Sequence, residues 1–188
     1  NNGTVSGASL TTDRFGNANK AYSFDGVNDW VDVTTNSMPV TGAAPKTMSF
    51  WMKNETGDEV SFSPIGLGAN QGLFYVWHRP LSHGGNGWYF NGGNNILATG
   101  AGYNSAIWRH HVITYDGTTV YYYIDGVLKV SGAIPINTQT SQLRIGTNST
   151  NEEFFKGKID DIRIYNRGLT AAEVTNLYNI EKSTLNDG

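Results

Sequence analysis

A short aromatic and basic run at residues 72–79 holds the side chains best suited to binding chemistry. One register of a strand would place Tyr75, Trp77 and Arg79 on the solvent side, because alternate strand residues point to the same face. Aromatic rings stack on the apolar face of a sugar, and a guanidinium donates paired hydrogen bonds to hydroxyls or carboxylates. The opposite register would bury Tyr75 and Trp77 in a core, and strand alternation alone leaves both registers open.

Five residues from this run and the segment after it are the candidate ligand contacts. Tyr103 belongs to a polar loop and is a good surface candidate, whereas Trp88 shares its parity with Phe90, which is more typical of core packing. The candidates are Trp77, His78, Arg79, Trp88 and Tyr103.

Oxygen ligands are concentrated at residues 25–29. Asp25, Asn28 and Asp29 place two carboxylates and an amide around Gly26, and calcium takes six to eight such oxygens. The spacing is not that of an EF-hand loop, and an acidic β-turn without a metal is the alternative interpretation.

A second pair of acids, Asp160 and Asp161, lies inside an apolar strand pattern. Because neighbouring strand residues face opposite ways, only one of the two can point inward. A buried carboxylate needs a partner such as a cation. The pair is therefore a further indication of a metal.

The acids are not arranged for catalysis. A sandwich glycanase needs two carboxylates a few ångströms apart, which on one strand means acids at i and i+2 or i+4. Asp160 and Asp161 are adjacent, and two further acidic groups, at residues 55–59 and 152–153, fall in polar or loop stretches. The chain has no nucleophile elbow or phosphate loop, and its 4 histidines are too scattered for a zinc set. We therefore predict that this protein is not an enzyme.

Composition favours a β-rich extracellular module, since aromatic residues make up 12% and charged residues only 15%. A net charge of -3 without a basic stripe argues against nucleic acid as a partner. The chain contains no cysteine and no apolar run near the ~20 residues of a membrane span, so we expect no disulfides and no membrane insertion. Its opening residues, Asn1 to Thr4, look like the inside of a longer protein, and we expect an excised module that can lack its first strand.

Strand-like runs recur along most of the chain between turn residues, a spacing typical of an antiparallel sandwich. Asp125-Gly126 predicts a two-residue hairpin with a primed turn. Thr170 and Glu173 form a capping box before a helix predicted at residues 171–179.

Four segments together resemble the laminin-G-like, concanavalin-A-like domains of secreted bacterial proteins: residues 21–33, 48–53, 108–126 and 154–174. The resemblance covers roughly residues 3 to 180. It implies an all-β, two-sheet antiparallel jelly-roll sandwich with one short C-terminal helix. The domain would span residues 1–180, with a tail or linker at 181–188.

The resemblance also implies a structural calcium ion at which Asp25 and Asp160 meet across the sandwich. Asn28 and Asp29 would lie beside them, with backbone carbonyls near Val27 or Asn28. The ion would fasten the terminal strand to the first hairpin.

These expectations converge on a non-catalytic carbohydrate-binding, lectin-like module of a larger secreted or cell-surface protein, flanked by other domains. Its partner would be a glycan or polysaccharide. The alternative is an adhesion or spacer module that binds a protein partner or acts as a rigid linker.

Overall fold

The computed structural model describes residues 3–34, 40–55, 60–68, 74–80, 87–93, 95–100, 107–139, 142–148 and 150–182. These residues form two packed antiparallel sheets of seven strands each and one C-terminal helix. The jelly-roll sandwich predicted from the sequence is confirmed.

Fourteen strands and the helix follow one another along the described residues. They are β1 (Thr4–Ser6), β2 (Ser9–Thr11), β3 (Ala21–Asp25), β4 (Trp30–Thr34), β5 (Lys46–Asn54), β6 (Phe62–Leu67), β7 (Phe74–Arg79), β8 (Gly87–Asn91), β9 (Ile96–Ala98), β10 (Trp108–Tyr115), β11 (Thr119–Ile124), β12 (Val127–Ala133), β13 (Gln142–Ile145), β14 (Lys156–Tyr165) and α1 (Ala171–Lys182). Sheet A has the order β1-β4-β13-β6-β7-β8-β9, and sheet B has the order β12-β11-β10-β5-β14-β3-β2.

The core lies between the two sheets and is rich in aromatic rings. Phe50, Phe62, Phe74, Phe90 and Phe155 are all fully buried. Burying one such side chain stabilises a fold by ~1.5–3 kcal/mol. Because side chains alternate along a strand, these residues point to the inner face of each sheet, and the residues between them point to the outer face.

The outer face of sheet B is covered by α1. Val174 packs against Val112 and Tyr123 in a small second cluster. The predicted capping box is present, because the Glu173 N–H donates to Thr170 Oγ1 at 3.3 Å and the Thr170 N–H donates to Glu173 Oε2 at 2.8 Å. The sequence thus located the start of this helix correctly.

The end of the helix differs from the prediction. It continues to Lys182, and Glu181 is only 3% exposed, so these two residues belong to the domain and not to a tail. Glu181 is held there because its carboxylate accepts a hydrogen bond from Trp51 Nε1 at 2.6 Å and pairs with Arg163. Residues 183–188 lie outside the described residues.

Candidate functional site

The strand β7 resolves the register that the sequence left open. Phe74, Val76 and His78 are buried, whereas Tyr75, Trp77 and Arg79 are half-buried and point away from the core. They lie on the outer face of sheet A, the sheet opposite to the one that α1 covers.

The neighbouring strand adds a second ring to this face. Tyr89 of β8 is directly opposite Trp77, and the two ring centroids are 6.0 Å apart with planes tilted by 53°. The Arg79 guanidinium lies over the indole of Trp77, 5.3 Å from the ring centroid. A cation over an aromatic face is attracted by the ring quadrupole, so Arg79 holds the indole in place.

Glu153 fixes the polar edge of the indole. Trp77 Nε1 donates a hydrogen bond to Glu153 Oε1 at 3.0 Å, and Asn148 Nδ2 donates to Oε2 at 3.2 Å. Burial raises the pKa of the Glu153 carboxyl, and the neighbouring Glu152 raises it further. A carboxyl whose pKa is raised by burial beside a half-buried ring is a functional-site candidate on physical grounds.

Tyr75 continues the aromatic surface along the sheet. Its hydroxyl accepts a hydrogen bond from Asn91 Nδ2 at 3.0 Å. Burial, with a contribution from the charge of Glu153, raises the pKa of Tyr75 to about 12, so the phenol stays protonated and can donate. Gly66 lies opposite Tyr75 on β6, and a Cβ there would come within 2.4 Å of the Tyr75 Cβ.

Charged groups from β13 and β4 lie on the same outer face, beyond β6. Arg144 of β13 donates to both carboxylate oxygens of Asp32 on β4, each at 2.8 Å. The cross-strand register places Arg144 opposite Gly66, next to Tyr75. Paired, charge-assisted bonds of this kind hold both partners in one geometry. The face therefore carries rings and fixed hydrogen-bonding groups side by side.

Two of the candidate ligand contacts are corrected by the structure. His78 and Trp88 are each 2% exposed and lie in the core, where both pack against Phe62. Their parity along β7 and β8 points them inward, so neither can contact a ligand on the outer face. Trp77 and Arg79 lie on that face, and Tyr103 falls outside the described residues.

The structure does not bring Asp25 and Asp160 together. Asp25 is opposite Lys156 in the ladder between β3 and β14, four residues before Asp160. At the ~3.3 Å rise of a strand residue, the two positions are about 13 Å apart. Asp160 instead pairs with Arg14, whose Nη1 lies 2.7 Å from its Oδ2. The cation expected beside this buried acid is thus an arginine of the chain.

The predicted ligands at residues 25–29 do lie in one turn. Asp25 Oδ1 accepts hydrogen bonds from the N–H groups of Val27 and Asn28 at 2.8 Å and 3.3 Å. Asp29 Oδ2 accepts from the N–H of Asp25 at 2.8 Å. The side-chain oxygens of this turn are of the kind that calcium binds. Two carboxylates and an amide nevertheless provide fewer than the six to eight oxygens that calcium takes. Within the described residues, no group of three or more acidic or histidine side chains could hold a metal ion.

Tyr75 was named for this face from the sequence, without being included among the candidate contacts. Four further residues of the face were missed: Tyr89, Glu153, Asn148 and Arg144. The hairpin register of β7 and β8 could have identified Tyr89, because it places that residue opposite Trp77. No local signal links Glu153 to Trp77, which lies 76 residues earlier in the chain.

Residues 25–175 match the sequence profile of a family described as the concanavalin A-like lectin/glucanases superfamily, of the laminin G type. The match covers most of the chain, which therefore belongs to this family. No curated protein matches the sequence significantly.

Solved structures share the fold at low sequence identity. The binding domain of Paraclostridial Mosquitocidal Protein 1 has a TM-score of 0.74 at 20% identity, with 96% of this chain and 47% of that chain covered. The binding domain of botulinum neurotoxin serotype D has a TM-score of 0.68 at 19% identity, with 96% and 46% covered. The chain thus spans about half the length of these toxin domains.

A third similar structure matches most of its own length. It is domain 4 of AbnA, a GH43 extracellular arabinanase from Geobacillus stearothermophilus, solved in complex with arabinotriose. Its TM-score is 0.62 at 23% identity, with 94% of this chain and 82% of that chain covered.

Among the described residues of the present chain, no helix is long and apolar enough to cross a membrane.

Proposed function

We propose that this chain is a non-catalytic carbohydrate-binding module and that its glycan lies across the outer face of sheet A. The pairing of Trp77 with Tyr89 on that face carries the proposal. Both rings are half-buried, and Arg79 and Glu153 fix the indole from its face and its N–H. Rings held by such contacts, beside polar groups with fixed partners, suit the two-sided chemistry of a sugar, which has apolar C–H faces and polar hydroxyls.

All three similar structures support this proposal by what their descriptions state. AbnA domain 4 was solved with arabinotriose, and both toxin structures are described as binding domains. A secreted or cell-surface location for the parent protein is part of the same proposal.

The residues of the face have distinct roles in this proposal. Trp77 and Tyr89 stack on sugar rings, Arg79 and Arg144 donate to hydroxyls or carboxylates, and Glu153 accepts from hydroxyls. Their partners in the free protein hold them in place, so little ordering entropy is lost on binding. A small, exposed ligand still makes few contacts, and we expect a Kd of roughly micromolar to millimolar.

The carboxylates of the face support binding without hydrolysis. Glu153 already accepts from Trp77 and Asn148, and Asp32 is held by both arms of Arg144. Glycoside hydrolysis needs a pair of carboxyl groups that exchange protons with the substrate or attack it. Carboxylates held by such hydrogen bonds suit a binding surface better than hydrolysis.

Calorimetric titration with a panel of neutral and acidic oligosaccharides, including arabino-oligosaccharides, tests the proposal. Trp77→Ala should weaken binding about tenfold or more, since ~1.4 kcal/mol of lost contact is a factor of ten. Trp108→Ala is the matched control, because Trp108 is a half-buried indole on β10 of the other sheet. A wild-type protein that binds no member of the panel would favour an adhesion or spacer module, and release of smaller sugars would indicate an enzyme.

Calcium is a further proposal, restricted to the turn at residues 25–29. Asp25, Asn28 and Asp29 would supply side-chain oxygens to the ion, with backbone carbonyls or water completing the set. If so, 5 mM calcium chloride should raise the Tm of the EDTA-treated protein by roughly 3 °C or more, about 1 kcal/mol for a domain of this size. Asp25→Asn should abolish the rise. Asp116→Asn is the control, because Asp116 makes the same kind of turn in another hairpin.

A further inference from the structure

A second pair of aromatic rings lies on the outer face of sheet A, at β4. Val31 and Val33 of this strand are buried in the core, so alternation along β4 directs Trp30 to the outer face. The indole of Trp30 lies against the ring of Phe154, with centroids 6.4 Å apart and planes tilted by 38°. Both side chains are half-buried. The outer face thus holds a ring pair besides the one on β7 and β8.

The backbone around Phe154 is fixed to two strands of sheet A. On one side, the N–H of Ser63 in β6 donates to the carbonyl of Glu153 at 3.1 Å. On the other side, the N–H of Phe155 donates to the carbonyl of Gly146, just after β13, at 2.8 Å. The Phe155 side chain is fully buried in the core. Phe154 therefore lies between two anchored residues, and its ring is held on the outer face.

Glu153 connects the two ring pairs. Its carboxylate accepts the hydrogen bond from Trp77 Nε1, and Phe154 of the other pair follows it directly in the chain. Asn148 Nδ2 donates to the second carboxylate oxygen. Polar groups therefore lie between the two sets of rings on the same sheet.

The separation of the two pairs suits more than one sugar. β13 and β6 lie between β4 and β7 in sheet A. At a spacing of ~4.8 Å between neighbouring strands, the backbones of Trp30 and Trp77 are about 14 Å apart across the sheet. This separation exceeds the width of one pyranose ring. A single sugar therefore covers only one pair, and a chain of linked sugars is needed to reach both.

We infer that Trp30 and Phe154 form a second sugar-stacking subsite, so that the module binds the interior of a linear, extended glycan and not a single terminal sugar. This inference rests on the function proposed above and specifies its class of ligand. Stacking at both ends of the site, with hydrogen bonds to Glu153 and Asn148 between them, suits a chain of sugars that presents C–H faces and hydroxyls in turn.

Two linked subsites make the affinity depend on the length of the glycan. Once a long chain is bound at the Trp77 pair, its next sugars are held near the Trp30 pair at a high effective concentration. A short oligosaccharide gains nothing from the second pair, because it cannot reach both. The length of the ligand thus separates the contribution of each pair.

Calorimetric titration with linear oligosaccharides of two lengths tests the inference. The probes are arabino-, xylo-, cello-, manno- and galacturono-oligosaccharides, each as the disaccharide and the hexasaccharide. The wild-type protein should bind the hexasaccharide of at least one series about tenfold or more tightly than the disaccharide of that series. The Trp30→Ala protein measures any gain that comes only from the larger number of disaccharide units in the hexasaccharide.

Variants of the second pair isolate its contribution. Trp30→Ala and Phe154→Ala should each weaken hexasaccharide binding about tenfold and leave the disaccharide Kd nearly unchanged, because the disaccharide binds at the Trp77 pair. Trp30→Phe keeps a ring and should retain most of the length dependence. Phe15→Ala is the matched control for Phe154→Ala, because Phe15 is a half-buried ring beside Arg14, which covers an indole of sheet B.

The indole N–H signals of the wild-type protein supply a measurement that needs no variant. The disaccharide should shift the signal of Trp77 alone, whereas the hexasaccharide should shift the signals of both Trp77 and Trp30. The Tm of each variant shows whether it is folded.

Two results would overturn this inference while leaving the proposed function in place. The first is that the disaccharide and the hexasaccharide bind equally tightly. The second is that Trp30→Ala and Phe154→Ala bind the hexasaccharide as tightly as the wild type, which means that this ring pair only packs against the sheet. Absence of binding by every oligosaccharide would instead overturn the proposed function and this inference with it.

Discussion

The outer faces of the two sheets carry the same three groups in two different settings. On sheet B, Trp51 Nε1 donates to Glu181 at 2.6 Å, and the Arg14 guanidinium lies 4.7 Å from the indole centroid. On sheet A, Trp77 donates to Glu153 at 3.0 Å, and the Arg79 guanidinium lies 5.3 Å from the indole centroid.

The two settings differ in how far the indole is covered by other parts of the protein. Trp51 is 5% exposed, and Glu181 belongs to α1, which closes over the indole. Trp77 and Glu153 are half-buried. A sealed indole contributes its full burial to stability, whereas a half-buried indole with fixed neighbours retains a surface for a ligand. The same residue types thus have a structural role on one sheet and a proposed binding role on the other.

The largest test of this contrast is truncation of the two tryptophans. Trp51→Ala should lower the free energy of unfolding by ~3–5 kcal/mol, the usual cost of removing a large buried ring. Trp77→Ala should lower it by only ~1 kcal/mol, as expected for a partly exposed position. Urea denaturation of both variants measures the difference, and equal losses would contradict the division of roles.

Acid should weaken the protein through two buried histidines. Burial, helped by Arg14 and Arg163, lowers the pKa of His110 to about 3, and burial with the charges of His110 and Arg109 lowers the pKa of His111 to about 3. Because the unfolded state binds protons first, their stabilising effect is complete above pH 6.5 and is lost progressively as the pH falls from 6.5 toward 3. At pH 5 the loss should reach roughly 2 kcal/mol for each histidine.

Denaturation at pH 7 and pH 5 checks this prediction, and the variant His110→Gln locates the effect. His110 lies on the covered face, where Nε2 is 2.8 Å from Ser49 Oγ. The variant should lose about half of the pH dependence. An unfolding free energy that is independent of pH in this range would show that neither histidine is buried in its neutral form.

Replacing Glu181 or Glu153 by Gln should change the free energy of unfolding by smaller amounts, and the two variants should differ from each other. Glu181→Gln should cost ~2 kcal/mol at pH 7, since it weakens a buried, charge-assisted network with Trp51 and Arg163. The pKa of Glu153 is raised in the fold, so its ionisation opposes folding above that pKa. Glu153→Gln should therefore be neutral or slightly stabilising at pH 7 and should weaken glycan binding. Equal destabilisation by both variants would show that Glu153 is structural.

The sequence predicted the fold because its turn, alternation and helix-capping signals agreed with the final structure. The Asp125-Gly126 turn has the positive φ values of 53° and 74° that a primed hairpin needs. Alternation along β7 correctly predicted that Trp77 and Arg79 lie on the same face of the sheet, although it could not show which face was outward.

The site was only partly predictable because it depends on contacts between distant parts of the chain. The outer face of sheet B is covered by α1 and by Arg14. Arg14 donates a hydrogen bond to Asp160, which is 146 positions later in the chain. Without that contact in view, a buried acid suggested a metal in place of an arginine. Trp88 and His78 were misplaced for a related reason, since alternation along a strand groups residues by parity but does not show which sheet face is outward.

The central claim is that Trp77 is displayed for binding while Trp51 is sealed, and the indole N–H signals of the protein test it most directly. The chain has 5 tryptophans, so one 15N spectrum follows every indole during titration with an oligosaccharide. The account predicts that the Trp77 signal shifts with saturation while the Trp51 signal stays in place. A bound sugar that shifts Trp51 and leaves Trp77 unchanged would contradict it.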